Sequence, residues 1–357
     1  MRLRRLVARG FRNLGDLDRE LPAGGVALLG ANAQGKTNLL EAVYYPVLFR
    51  SFRGAPDQEV VRFEGPGFVL EAELEGAPAA AVGASYATVG RRKRITVEGS
   101  EPVRLADAVG AWLAVSFLPE DVGLASGTAA GRRAYLDRLL ALADGRYLRA
   151  LSRYRAALAQ RNSALRQGRR EVAQAFDAPL AAAGAEIVAA RERWAGGATE
   201  QFTAELDCLG EGEGTRLRYR GGEGLANVEM WPTALERVLE RDLARGMTSV
   251  GPHRDDLVLE LGGKPLREFG SNGQQRAAAV ALKLIELASL RQARGTEPAL
   301  LLDDVFAAFD RERQRRLALR LLAAPGRQVF LTAPRADELP PDLELPVWRV
   351  ERGRVIS

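Results

Sequence analysis

Residues Gly30–Thr37 read GANAQGKT, a G-x-x-x-x-G-K-T pattern, and their flanks decide its meaning. An apolar run, Val26-Ala-Leu-Leu29, has the length of a buried strand. Asn38-Leu-Leu-Glu-Ala-Val43 follows with apolar residues at helical spacing. Strand, glycine loop and helix start are the context in which this pattern holds phosphate. Gly30 and Gly35 permit a tight turn with no side chain in the way. The amides of Gly30, Ala31, Asn32, Ala33, Gln34 and Gly35, with the helix N-terminus, are expected to face a nucleotide's phosphates. Lys36 is expected to neutralise the β- and γ-phosphates and Thr37 to give an oxygen to Mg²⁺.

A second stretch, Ala299-Leu-Leu-Leu-Asp-Asp304, is an apolar run ending in two carboxylates. On a strand parallel to the first, Asp303 would reach the metal held by Thr37. Asp304 would orient, or take a proton from, the water that attacks the γ-phosphate. Lys36 and Asp303 lie at opposite ends of the chain, so the segment between must leave and return. Residues 126–246 are read as an inserted helical lobe, and 1–125 with 247–357 as the nucleotide-binding head. Ser271, Asn272, Gly273 and Gln274 open another helix and form a second anion-binding device.

The 357 residues are 46% apolar and carry a net charge of +5, enough core for one large or two ordinary domains. The balance permits a polyanionic partner without requiring one. One cysteine, Cys208, rules out a disulfide framework, and one histidine, His253, rules out a histidine-cluster metal site. Met1-Arg-Leu-Arg-Arg runs straight into alternating residues without a signal-peptide core, and no stretch has the length to span a bilayer. A cytoplasmic protein is expected.

Strands are expected at Leu3–Ala8, Leu14–Leu21 and Val26–Leu29, an antiparallel sheet over 68–104, and further strands at Leu113–Phe117, Val258–Leu261, Ala299–Leu302 and Gln328–Leu331. Arg91-Arg-Lys-Arg94 reads as a solvated hairpin tip, slightly ahead of a DNA contact. From Ala129 to about Ala244 alanine, leucine and arginine recur at helical spacing, with Asp144-Gly145 as a break. Leu136, Leu140, Ala143, Tyr147, Leu151, Tyr154 and Leu158 form a short heptad-like seam. Between Ser126 and Val172 stand 11 arginines and three acids, a local excess above that of the whole chain. Solvated helix faces and phosphate contacts are equally open for it. The fold class is α/β with an inserted, mostly α-helical second lobe.

P-loop, S-x-G-Q-Q-R and a Walker B pair occur in the order found in ABC-type ATPases, and Ala307-Ala-Phe-Asp310 fits the D-loop that follows. With Phe11-Arg-Asn-Leu14, Arg50-Ser-Phe-Arg53, Phe117-Leu-Pro-Glu-Asp121, Gly131-Arg-Arg-Ala-Tyr-Leu-Asp137 and Ser249-Val-Gly-Pro-His-Arg-Asp-Asp256, the chain resembles the RecF family, whose heads are similar to those of SMC proteins. The resemblance implies ATP and Mg²⁺ as cofactors and a homodimer formed on ATP. Each nucleotide would lie between the Lys36 loop of one copy and Ser271–Gln274 of the other. It implies weak ATPase activity, DNA binding at gaps or single-strand/double-strand junctions, a RecR-type mediator as partner and promotion of recombinase loading. Lys36, Asp304, Arg53 and Glu120 are its candidate catalytic residues. Arg53 matches an arginine placed beside the phosphates in SMC heads, and Glu120 stands where a Q-loop glutamine is sought. Two departures stand out: Asp304 replaces the glutamate of transporters, and Thr332 replaces their switch histidine. Two other readings stay open, an ABC-type subunit driving a membrane or other partner, and an ATP-binding adaptor without meaningful hydrolysis.

Overall fold

The computed structural model describes residues 1–357 except 212–213, 307–310, 323, 325, 340–342 and 357. The D-loop candidate Ala307–Asp310 therefore lies outside the described residues. By packing, the chain divides into Met1–Asp121 with Glu286–Ser357, and Val122–Ile285.

A six-stranded sheet organises the first unit. Its order is Arg354–Ile356, Val347–Glu351, Gly25–Leu29, Val329–Ala333, Ala299–Asp303, Ala114–Phe117. The last five are parallel, and only Arg354–Ile356 runs against its neighbour. Parallel strands covered on both faces read as unbroken apolar runs; Ala299–Asp303 and Val329–Ala333 are buried at every position. The Lys36–Leu48 helix is buried from Leu39 to Val47. Pro46 stands in its last turn, and the Trp112 indole N–H donates to the Val43 carbonyl at 3.0 Å.

The second sheet of this unit is antiparallel: Leu17–Glu20, Arg2–Arg9, Gly67–Glu75, Ala81–Ala87, Arg92–Val97. Along Gly67–Glu75, Phe68, Leu70, Ala72 and Leu74 are buried and alternate with more exposed residues, the signature of one packed face and one solvated face. Phe11, Tyr45 and Phe68 meet edge to face with centroids 5.3–6.0 Å apart. The expected basic hairpin tip is more ordered than a solvated turn. Lys93 donates to the Phe49 carbonyl, pairs with Asp57 at 3.0 Å and covers the Tyr45 ring.

Helices Ala129–Ala143, Gly145–Arg166 and Asp177–Cys208 make the second unit, with a sheet of Lys264–Pro265, Asp256–Leu261 and Thr215–Arg220. Leu140, Tyr147, Leu151 and Tyr154 of the seam share a core with Leu180, Ile187, Val188 and Trp231. Asp144 ends the first helix and caps the second by accepting from the Arg146 amide at 2.8 Å. The seam thus belongs to two helices in a local bundle. Gly184 is needed there, because a Cβ would stand 2.2 Å from the Trp231 ring. Residues 247–285, read from sequence with the head, share their packing with this unit, since Asp256–Leu261 pairs with Thr215–Arg220 along its whole length.

Gly251–Asp256 is the junction of the second unit. The Pro252 carbonyl accepts from Arg191 at 2.7 Å. His253 Nδ1 meets the Tyr154 hydroxyl at 2.6 Å and its Nε2 meets the Thr248 carbonyl at 2.9 Å, so Nε2 carries the proton and Nδ1 accepts. Burial lowers the His253 pKa to about 4. Asp255 accepts from Tyr219, and burial holds its carboxyl above the usual range. Asp256 takes both arms of Arg132, at 2.8 and 3.0 Å. Arginines of the basic stretch are largely consumed in this way. Arg132 and Arg161 are buried and paired with carboxylates; Arg146, Arg153, Arg155 and Arg170 are exposed but also paired, whereas Arg149, Arg166 and Arg169 are exposed and have no carboxylate partner among the described residues.

Candidate functional site

The carboxyl ends of the parallel strands collect the chemistry, as they do in open α/β sheets generally. Gly25–Leu29 feeds the loop. A Cβ on Gly30 would stand 2.3 Å from the Val350 carbonyl oxygen, and Gly35, with φ 105°, starts the helix in the left-handed region. Ala33 is also left-handed, at φ 64°. Gln34 is held by the last hairpin: its side-chain oxygen accepts from the Arg352 amide at 2.7 Å and its carbonyl from the Gly353 amide at 2.8 Å. Lys36 is 5% exposed, and its ammonium donates to the Gly30 and Ala31 carbonyls at 2.7 and 3.2 Å.

The Thr37 hydroxyl donates to Asp303 Oδ1 at 3.0 Å. Between the Gly25–Leu29 strand that leads into the loop and the Ala299–Asp303 strand lies Val329–Ala333, which brings Thr332 level with Asp303. Thr332 Oγ1 stands 2.7 Å from Asp303 Oδ1 and 3.2 Å from Asp304 Oδ1, and accepts from the Asp304 amide at 3.0 Å. A hydroxyl has one proton to donate, so the two carboxylates share it. Asp304 takes a left-handed φ of 48°, which an aspartate tolerates better than most residues. Burial pushes the Asp303 carboxyl above its ordinary pKa. Hydrogen bonds from Thr332 and Thr37 oppose that rise, and the neighbouring Asp304 charge adds to it. A hydroxyl beside carboxylate oxygens is a hard donor set that fits Mg²⁺. Among the described residues, no group of three or more His, Cys, Asp or Glu side chains is placed to hold a metal ion.

Arg53 approaches from beside the loop helix. Its Nη1 donates to Asn38 Oδ1 at 2.8 Å and to Glu41 Oε2 at 3.3 Å. Glu41 also receives both arms of Arg12, at 3.0 and 2.9 Å, and the Ser51 hydroxyl. Asn38 donates to Asn13 at 2.7 Å. Phe11-Arg-Asn-Leu14 and Arg50-Ser-Phe-Arg53 are thereby joined to the loop helix. Glu120 is exposed in the turn Pro119–Val122, just beyond the Ala114–Phe117 strand. No hydrogen bond or ion pair links it to Lys36, Asp303 or Asp304 among the described residues.

In the second unit, Ser271 and Gln274 form a reciprocal capping box. The Ser271 amide donates to Gln274 Oε1 at 2.9 Å, and the Gln274 amide to Ser271 Oγ at 3.2 Å. Ser271 and Asn272 are exposed. No helix among the described residues is long and apolar enough to cross a membrane.

No protein-family model matches the chain. A protein of Herpetosiphon aurantiacus named DNA replication and repair protein RecF is 33% identical over 98% of this chain and 97% of its own length. The chain belongs to the RecF family. Its fold follows that of a recombination mediator protein RecF solved with ATP, at 30% identity and a TM-score of 0.90 over 99% of this chain and 96% of that one. An SMC head solved with the C-winged helix domain of ScpA shares the fold alone, at 13% identity and a TM-score of 0.53 over 94% and 90% of the two chains. This is an ABC-type ATPase head fold. Sequence reading of this RecF-family chain missed the parts of Glu41 and Thr332. Glu41 carries a local signal, a lone carboxylate on the otherwise apolar face of the loop helix. Thr332 could be seen only as the residue standing where a histidine was sought.

Proposed function

We propose that this chain is an ATP-dependent DNA-binding protein of recombinational repair and replication restart, a switch that dimerises on ATP and hydrolyses it weakly. The observation that carries the reading is the Thr37–Asp303 hydrogen bond at 3.0 Å, which joins the phosphate loop to the acidic strand end. A relative of the same fold solved with ATP supports it.

ATP phosphates would displace the Gly30 and Ala31 carbonyls from Lys36, and the amides of residues 30–37 would cradle them. Thr37 and Asp303 would hold Mg²⁺, which when bound neutralises charge on the β- and γ-phosphates. Asp304 would orient the attacking water, with its side chain set by Thr332, and Arg53 would approach the phosphates from its seat on Glu41 and Asn38. Glu120 is the weakest member of the set, placed near the strand ends by sequence order alone. The Asn272 and Gly273 amides, which the Ser271–Gln274 box leaves for an outside acceptor, would meet the γ-phosphate bound by a second copy. That copy makes ATP a dimerisation ligand. Arg149, Arg166 and Arg169 are the stronger candidates for phosphate contacts on duplex DNA. A RecR-type mediator would read the assembled dimer at gaps or junctions.

Sedimentation with and without ATP tests the reading. Lys36→Ala should lose nucleotide binding, and Ser271→Arg should keep nucleotide yet stay monomeric. A dimer of equal strength without ATP, or an intact Ser271→Arg dimer, would refute it.

A further inference from the structure

Residues 347–356 form a hairpin whose turn is pressed against the phosphate loop. Its last paired residues are Glu351 and Arg354, so Arg352 and Gly353 make a two-residue turn, at φ 48° and 77°. Positive φ at both places matches the twist of a hairpin. Glycine fits there, whereas arginine keeps such a backbone only where its surroundings fix it. Neither amide joins the strand ladder, and both go to Gln34: the Arg352 amide to its side-chain oxygen, the Gly353 amide to its carbonyl. The Gly353 carbonyl in turn accepts from the Gly15 amide at 2.8 Å. The fit is close. A Cβ on Gly353 would stand 1.9 Å from the Asn13 carbonyl oxygen, and one on Gly35 would stand 3.2 Å from the Gly353 Cα.

Gln34 stands between two left-handed residues, Ala33 at φ 64° and Gly35 at φ 105°. Alanine holds that backbone only when neighbours over-determine it. Left-handed residues within a loop turn successive amides toward one point, a concavity for an anion. We propose that the hairpin is a positioning element for the phosphate loop and that Gln34 is the residue through which it acts. Two backbone donors fix residues 33–35 in the shape that receives phosphate. Binding then does not have to order them first, and ordering costs affinity. The Arg352 side chain is exposed; what acts is its amide. This part rests on the ATP reading of the loop and extends it to a turn 318 positions away.

Titration of the full chain with a fluorescent ATP analogue, and deuterium exchange without nucleotide, test this. Gln34→Met keeps the stem and removes the acceptor. It should weaken ATP binding about fivefold, and in turnover the loss should appear as a raised KM with kcat nearly kept. In the nucleotide-free protein it should speed exchange in peptides that cover residues 31–36. Gly353→Ala drives the turn off Asn13 and should weaken ATP binding about tenfold. Because both act through one contact, the double variant Gln34→Met/Gly353→Ala should bind no more weakly than Gly353→Ala alone. Arg352→Asn keeps the amide and suits a left-handed backbone, so its loss should stay under about twofold. A loss in Arg352→Asn equal to that of Gln34→Met would put the guanidinium itself on the phosphates and overturn the inference. So would additive losses in the double variant, or a Gln34→Met chain with unchanged loop exchange and ATP affinity while Lys36→Ala abolishes binding. If the unaltered chain binds no ATP, the nucleotide reading fails and this inference with it.

Discussion

Glu41 in the first unit and Arg191 in the second are both buried charges ringed by opposite partners, but the two rings end differently. Around Glu41, itself fully buried, Arg12 is 17% exposed and Arg53 32%. Two cations meet one carboxylate, and the surplus points outward beside the phosphate loop. Arg191 is 2% exposed; it donates to Asp137, to the Tyr147 hydroxyl and to the Pro252 carbonyl, with Asp255 3.7 Å away. Every direction is closed by the fold itself. Arg53 keeps a part in water that Arg191 lacks. That contrast supports the site role proposed for Arg53 and makes Arg191 part of the framework.

The largest expected effect tests the closed ring. Arg191→Met keeps the stem but leaves buried Asp255 without the guanidinium beside it and Asp137 with Arg155 alone, which should cost about 3–5 kcal/mol in denaturant unfolding. A loss near zero would mean that the framework reading is wrong. Acid should open the same region. His253 has a folded pKa of about 4, lowered from 6.5, so the unfolded chain takes up its proton first. Its contribution is full above about pH 6.5 and is lost as pH falls toward 4, up to about 3 kcal/mol. Asp255, raised by burial, works in the opposite sense at the acid end of that window. His253→Asn should flatten the loss between pH 7 and 5, as read from thermal melts at both values. Thr332→Val removes a donor shared by two carboxylates and should cost about 1–2 kcal/mol. Nucleotide turnover would shift with it if Asp304 orients water. Arg53→Met is the smallest in stability, under about 1 kcal/mol because the group is partly solvated. It should nevertheless slow ATP turnover severalfold with nucleotide affinity nearly kept. If Arg53→Met destabilised the fold as strongly as Arg191→Met, the contrast between open and closed rings would fail.

Much of this was legible in the sequence because it is local. Gly30–Thr37 carries its strand and helix on either side, and Ala299–Asp303 announces burial by composition. Every strand expected in the first unit is present, within a few residues at its ends. What stayed hidden depends on partners far along the chain. Arg132 finds Asp256 across 124 positions and Arg161 finds Asp242 across 81, so an arginine count overstated the charge free to meet phosphate. Residues 247–285 were placed with the head because their motifs are those of a head. Strand pairing with Thr215–Arg220, which no local pattern encodes, put them in the other packing unit. The capping box of Ser271 and Gln274 was legible as a helix start. The part proposed for it toward a second copy rests on the family resemblance and not on its local residues.

The six residues Gly251–Asp256 hold three helices and a strand at once, through Arg191, Tyr154, Arg132 and Tyr219. Such wiring leaves little room for partial opening, because releasing the turn frees all of its partners together. Amide protons in Ala129–Ala143, Gly145–Arg166 and Asp177–Cys208 should therefore exchange with solvent as a single cooperative block, and damage at this turn would be felt across the whole bundle.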